Sequence, residues 1–325
     1  MNEESTLNLC QDYGGLAVIA GFIVSVVYLI IVMSIENTVD IFGMDAYWLK
    51  LLGFAIGIII IGIVCFIDDK KGGVHPLIKL MAQTIAAIVM LISGVRIDGL
   101  DIAFINNATW SDAFYNILTI GWIVGITNAI NLIDGLDGLS TGVTIIASIS
   151  LLIIFALNGA PLIAIILITA LAGALIGFLP YNFNPAKTFI GDVGSDFLGF
   201  ALAVISILGV AKTYTAIVIV APLIVLALPV FDTLWAIIRR IIKGKSLKAI
   251  IMPDRGHLHH KMLDKGYSQK QVVLILYGIS ATFGMFAVIL LESGIWKAIS
   301  FALMIVAAMA IGYHSMFKLK EEEKD

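Results

Sequence analysis

Charge is what this sequence has least of. Only 13% of its 325 residues are Asp, Glu, Lys or Arg, where a soluble domain carries about 25%. A chain so poor in charge cannot clothe a water-facing surface, which excludes an ordinary soluble enzyme and a disordered protein alike. Cysteine is scarce too. Cys10 and Cys65 both lie near apolar stretches, so no disulfide framework is implied and each reads as a small buried hydrophobe. Net charge is −3 and no long basic run exists outside one loop, which argues against a nucleic-acid partner.

What the chain has instead is length of apolar sequence. Hydrophobic residues make up 60% and mean hydropathy is +1.03. A membrane span takes about 20 apolar residues. Ten stretches qualify, near 15–34, 48–67, 77–95, 116–131, 139–157, 161–180, 195–211, 215–238, 271–291 and 295–316. They are too long and too uniform for the alternating blocks of a β-barrel. The expectation is an all-α polytopic membrane protein of about ten transmembrane helices forming one domain over residues 1–325. It has a short polar N-terminus (1–13), a long loop (239–270) and a charged tail (317–325). The opening MNEESTLNLCQDY is acidic and polar, so no cleavable signal peptide is expected.

Lysine and arginine set the orientation. Lys70, Lys71, Lys187, the basic residues of 239–270, and Lys318, Lys320 and Lys324 fall on one side. Lys50, Arg96, Lys212 and Lys297 fall on the other. The bias predicts a multi-pass protein of the cell membrane with both termini cytoplasmic. The same side holds the carboxylate-rich segments, so chemistry is expected at the cytoplasmic face.

Four inner segments carry the polar groups. In CFIDDKKGGVHPLIKL, Asp68 and Asp69 end one span and Lys79 begins the next. Adjacent carboxylates at an apolar helix end repel, which favours a bound cation or a general base; a solvated helix end is the plainer alternative. In NAINLIDGLDGLSTG, Asn128, Asn131, Asp134 and Asp137 recur every third residue, near one stripe if helical. Oxygen donors of this kind suit Mg²⁺ or Mn²⁺ better than Zn²⁺. In FLPYNFNPAKTFIGDVGSDFLGF, the candidates are Asn182, Asn184, Lys187 and Asp192, with Asp192 or Ser195 also suited to cap the next helix. The loop 239–270 holds Arg255, His257, His259 and His260. Forked and charge-assisted hydrogen bonds to a polyphosphate fit these better than zinc, since no Cys is near. Asp232, inside the eighth span, reads equally as a support for this cluster or as a bundle hydrogen bond. Together the groups suit a divalent-cation-bound diphosphate and phosphoryl transfer at the lipid–water boundary, although cation-coupled transport would use similar groups.

In their order and spacing the four segments resemble the polyprenyl-phosphate N-acetylhexosamine-1-phosphate transferase family. The matching stretches are Asp68, Asp69 and Lys79; NAINLIDGLDGLSTG; NFNPAKTFIGDVGSDFLG; and PDRGHLHHKMLDKG. The HLHH pattern after PDR resembles the bacterial branch that uses UDP-GlcNAc, with other UDP-N-acetylhexosamines or UDP-MurNAc-pentapeptide as alternatives. The resemblance implies transfer of GlcNAc-1-phosphate to undecaprenyl phosphate with release of UMP, Mg²⁺ dependence, and a homodimer as a family trait. It implies that Asp68 activates the lipid phosphate as base or electrostatic partner, that Asp69 supports it and the metal region, and that Lys79 holds a phosphate. Asn131 and Asp192 would contact the metal. Asp134 and Asp137 would line the uridine pocket, with Asn128, Asn182 and Lys187 beside the substrate. Arg255, His257, His259 and His260 would close over the sugar phosphate. The pattern departs at the start, where the family has another membrane helix and a basic loop before GGLA. Here only MNEESTLNLCQDY precedes GGLAVIAGF, which leaves an inactive relative as an alternative.

Overall fold

The computed structural model describes residues 13–36, 45–71, 73–98, 110–210, 216–244 and 256–305. Arg255, most of the N-terminal segment, and the chain after 305 lie outside the described residues. Every described element is a helix, and each apolar stretch read from the sequence contains at least one. They are α1 (Gly14–Ile35), α2 (Asp45–Lys71), α3 (Pro76–Ile92), α4 (Ser111–Ile133), α5 (Leu139–Leu157) and α6 (Leu162–Asn182). They continue with α7 (Gly191–Val210), α8 (Ala216–Val225), α9 (Ala227–Gly244), the short α10 (Leu258–Asp264), α11 (Gln269–Ser293) and α12 (Ile295–Ile305).

Seven of these are long and apolar enough to cross a membrane, while α3 and α12 are shorter apolar helices. The tenth predicted span is described only through α12. The eighth, expected as one helix over 215–238, is two: α8 and α9 meet at Leu226. Pro229 explains the break. It has no N–H for the Val225 carbonyl, and its ring crowds that carbonyl.

α7 is the hub. It is apolar on every side, and from Val193 to Gly209 each residue is buried. It packs against α4, α2, α1 and α6. Phe197 meets Phe22 of α1 edge-on at 5.4 Å, and Phe200 stacks on Phe54 of α2 at 5.5 Å. The outer helices instead turn Ile, Leu and Val outward, as on α1 at Ile23, Val24, Val27 and Ile31. An apolar periphery around a packed centre is what a lipid solvent allows. Local signals begin the helices: His75 caps α3 ahead of Pro76, and Ser268 with Gln271 forms a capping box on α11.

Small residues let α7 approach its neighbours. A Cβ at Gly199 would stand 2.6 Å from the Thr127 Cα and 2.9 Å from the Ile126 carbonyl oxygen, both backbone atoms of α4. Neither can turn aside as a side chain would. Gly199→Ala is therefore expected to cost about 1–3 kcal/mol, read as a lower unfolding midpoint in detergent. An unchanged midpoint would show that the two helices separate freely.

Candidate active site

Helix direction alternates along the chain. The end of α2, the start of α3, the end of α4, the α4–α5 turn, the end of α6 and the start of α7 therefore meet at one end of the bundle. Most of the sequence candidates sit there.

Asp69 lies at the N-terminus of α7, accepting from the backbone N–H of Asp192 at 3.3 Å and of Val193 at 3.4 Å. These are donors that a helix start cannot satisfy internally, and the helix dipole favours a carboxylate there. Asp68, on the buried side of α2, accepts from the Val74 N–H and, at 3.2 Å, from the Lys79 ammonium. Lys79 also reaches Asp192 at 2.9 Å. One ammonium thus bridges the C-terminus of α2 and the N-terminus of α7. Asn131 of α4 donates to Asp192 Oδ1 at 3.0 Å and to the Ser195 hydroxyl at 2.9 Å. Ser195 passes its own proton to the Gly191 carbonyl at 3.0 Å. Asp68, Asp69, Lys79, Asn131 and Asp192 are therefore one connected cluster.

The charge of this cluster does not balance. Three carboxylates gather here and one ammonium bonds two of them, in a partly buried place where charge is costly. Among the described residues, no three Asp, Glu, His or Cys side chains enclose a metal by themselves. The donor set instead fits a hard divalent cation held by one or two carboxylates and completed by substrate phosphate oxygens. Asp192, Asp69 and the Asn131 amide are the groups placed to hold one.

Asp134 lies in the α4–α5 turn, half-buried, and accepts from the Ser140 hydroxyl at 2.6 Å. Burial pushes its carboxyl up to about 7, against the pull of that hydrogen bond and with help from the Asp192 and Asp69 charges. Between its ordinary range and about 7, the folded protein therefore holds a proton that the unfolded chain has released. Stability should fall as pH rises through that window and level off above it. In Asp134→Asn protein this part of the pH dependence should vanish, which melting curves from about pH 4 to pH 8 would show. Parallel curves for the two proteins would refute the assignment.

Other candidates hold the surrounding loop. Asp137 accepts from the Asn184 amide at 2.9 Å and the Ala186 N–H at 3.1 Å, tying down the turn after α6. Asn182 is buried, accepting from Thr141 at 2.7 Å and donating to the Thr188 carbonyl at 3.0 Å. Lys187 is exposed on that turn. Asn128 lies one helical turn deeper than Asn131.

The histidines come in from α10. His257 Nδ1 and Asp232 Oδ2 are 2.8 Å apart, and the Leu258 N–H meets Asp232 Oδ1 at 2.9 Å. Arg239 donates to the Gly256 carbonyl at 2.7 Å. Asp232 therefore ties the histidine segment to α9. The His259 ring stacks beside His257 at 5.9 Å and approaches His260 at 4.2 Å. It also fills the space above Gly135, where a Cβ would stand 2.3 Å from its Nε2. Glycine in the α4–α5 turn is thus what admits the histidine beside Asp134. Burial and its histidine neighbours hold His259 down at about 4, so it is a neutral imidazole at pH 7 rather than a positive charge.

A second polar layer lies beneath the first. Asp196, one turn below Asp192, is fully buried. It accepts from the Cys65 thiol at 2.8 Å and from the Gln83 amide at 3.2 Å. The Gln83 carbonyl in turn accepts from Asn128 at 2.5 Å. Cys65 is buried as the sequence suggested, yet it acts as a donor. Asp196 and Gln83 are absent from the sequence candidates, although each follows one of them by four residues in a helix.

Known proteins fall in line with this geometry. The model of the family described as glycosyl transferase family 4 matches residues 51–210, the stretch carrying the cluster. A probable undecaprenyl-phosphate N-acetylglucosaminyl 1-phosphate transferase of Bacillus subtilis is 37% identical over 262 residues, covering 81% of this chain and 72% of the relative. A decaprenyl-phosphate N-acetylglucosaminephosphotransferase of Mycobacterium tuberculosis is 34% identical, covering 78% of this chain and 67% of the relative. A phospho-N-acetylmuramoyl-pentapeptide-transferase of Staphylococcus saprophyticus is 30% identical, covering 88% and 84%. Likeness that runs over so much of both chains, and through the helices that build the cluster, shows more than a shared fold: this chain belongs to glycosyl transferase family 4.

Proposed function

We propose that this single membrane domain transfers GlcNAc-1-phosphate from UDP-GlcNAc to undecaprenyl phosphate, giving undecaprenyl-diphospho-GlcNAc and UMP. The observation that carries it is the Asp68–Lys79–Asp192 bridge, with Asp69 on the first amides of α7, at one end of a lipid-facing bundle. At such a boundary a water-soluble nucleotide can meet a lipid phosphate. The positive-inside bias of the sequence supports a cytoplasmic position for this end and for both termini.

An oxygen of the lipid phosphate attacks the β-phosphorus. The bond from that phosphorus to the bridging oxygen breaks, and UMP leaves with the electron pair. Lys79 holds a phosphate oxygen in the attacking geometry and offsets charge as it spreads in the transition state. Asp68 fixes the ammonium and receives a proton when the lipid phosphate arrives protonated. Asp192 and Asn131, with Asp69 in support, would hold Mg²⁺ or Mn²⁺, which would supply Lewis-acid stabilisation of the charge that develops on the diphosphate. Asp134 lines the uridine side, and the histidines of α10 close over the sugar phosphate with Asp232 behind His257. A groove of about 380 Å³ beside them has apolar walls at Phe231, Trp235, Ile279 and Phe283 that suit an isoprenoid chain, with Asp232 and Lys261 also on its lining.

GlcNAc is favoured because two of the three relatives described carry it in their names, and UDP-MurNAc-pentapeptide is the second reading because the third does. Purified protein with labelled UDP-GlcNAc, undecaprenyl phosphate and Mg²⁺ should yield labelled lipid and equal UMP, and none with EDTA. Label transfer only from UDP-MurNAc-pentapeptide would favour the second reading. Folded protein that transfers from no UDP-sugar would overturn both.

A further inference from the structure

The second polar layer repeats the helices of the first. α2 supplies Asp68 and Asp69 above and Cys65 below; α3 supplies Lys79 above and Gln83 below. α4 supplies Asn131 above and Asn128 below; α7 supplies Asp192 above and Asp196 below. In each helix the lower residue is three or four positions from the upper one, so it lies on the same face one turn deeper. Asp196, Gln83 and Cys65 are buried to 0%, 2% and 1% exposure. In such a place each polar group needs a partner, and here they use one another.

Resting on the transferase reading above, we propose that Asp196 is a positioning residue for the transfer. Through Gln83 and Cys65 it locks the rotation of α3 and α2 against α7, and through Gln83 and Asn128 it reaches α4. Lys79, Asp68 and Asn131 are thereby aimed at Asp192. The device works through hydrogen bonds. A Gln83 turned away by one rotamer would carry α3 with it, because its amide and carbonyl would otherwise be orphaned in the bundle. The Lys79 ammonium sits one turn up the same face. A displacement on the order of 1 Å there is enough to cost about 10²-fold in rate. Asp196, Gln83 and Cys65 lie one turn below the groups proposed to meet substrate. The layer also accounts for a carboxylate one turn inside an apolar helix, which is expensive without a task.

The test uses full-length protein carrying Cys10→Ser, so that Cys65 is the one thiol. Three quantities are read: kcat per nucleotide-binding site, KM for UDP-GlcNAc, and the infrared S–H stretching band. Asp196→Leu should lower kcat at least tenfold, leave KM within threefold, and move the S–H band to the frequency of a free thiol. Asp196→Asn keeps an acceptor and a donor and should stay within threefold of the parent in kcat. A purely structural role would lower the number of binding-competent sites and leave kcat per site unchanged, which overturns the proposal. An unmoved S–H band in Asp196→Leu, or Asp196→Asn as impaired as Asp196→Leu, overturns it as well. Should Asp196→Leu not fold, Cys65→Ala carries the test, with about threefold lower kcat at constant KM expected and an unchanged kcat overturning. If the parent protein transfers from no UDP-sugar, the transferase reading fails; the S–H band still reports whether the layer exists.

Discussion

Asp192→Asn protein is expected to lose transfer by on the order of 10³-fold and yet to melt within about 1 kcal/mol of the wild type. The two halves of this result have different causes. Asp192 is the meeting point of Lys79 and Asn131, and in the proposed mechanism its carboxylate would hold the divalent cation. An amide there keeps the shape and loses the charge that holds cation and diphosphate. Stability responds differently because Asp68 and Asp192 share one ammonium, with the Asp69 carboxylate close by. Removing one relieves repulsion, and the lost ion pair to a side chain 37% exposed is screened by water. Transfer rates and detergent melting curves on the same preparation check both halves. Activity retained within tenfold would move the metal role elsewhere, and a large fall in melting temperature would make Asp192 a structural residue.

Lys79→Met should fail in both respects. Among the described residues its ammonium is the one cation seen bonded to Asp68, whose side chain is 8% exposed. Breaking a buried pair by removing one partner costs about 3–5 kcal/mol, because an uncompensated charge stays behind. The variant should lose both transfer and stability. Adding Asp68→Asn should then recover part of the stability and none of the activity, since the orphaned charge is gone and the phosphate-holding ammonium is still missing. If Lys79→Met melts like the wild type, the Asp68–Lys79 pair is not what ties α3 to α2. If the double variant regains transfer, Lys79 does not hold a phosphate.

The upper layer was legible in the sequence because polar residues at the end of an apolar run are conspicuous. Asp68, Asp69, Lys79, Asn131 and Asp192 each border a stretch that lipid or core explains. Helix geometry then does the joining, which spacing along the chain cannot show: Lys79 and Asp192 are 113 positions apart and 2.9 Å in space. The lower layer was hidden by its setting. Asp196 stands among Gly, Ser and Phe at a turn already explained by capping, and Cys65 has the composition of a core residue. Their signal was present in one form, as a carboxylate one helical turn beyond Asp192 with nothing charged beside it in sequence. Asp137 and Asn182 show the converse. Their side chains bond to the turns around α6, a use that a polar motif does not distinguish from substrate contact. The division of the eighth span was readable from Pro229, since a proline in a helix interior frees a carbonyl four residues back.

The burial of α7 on all sides has a consequence for the timing of motion. Its amides should exchange with solvent only when the whole bundle opens, so Asp192 and the groups it gathers belong to the slowest unit of the molecule. α10 is seven residues long and is held to α9 through Asp232 and Arg239. Its attachments run to α9, to α11 and to Gly135 in the α4–α5 turn, so its amides should exchange well before those in the middle of α7.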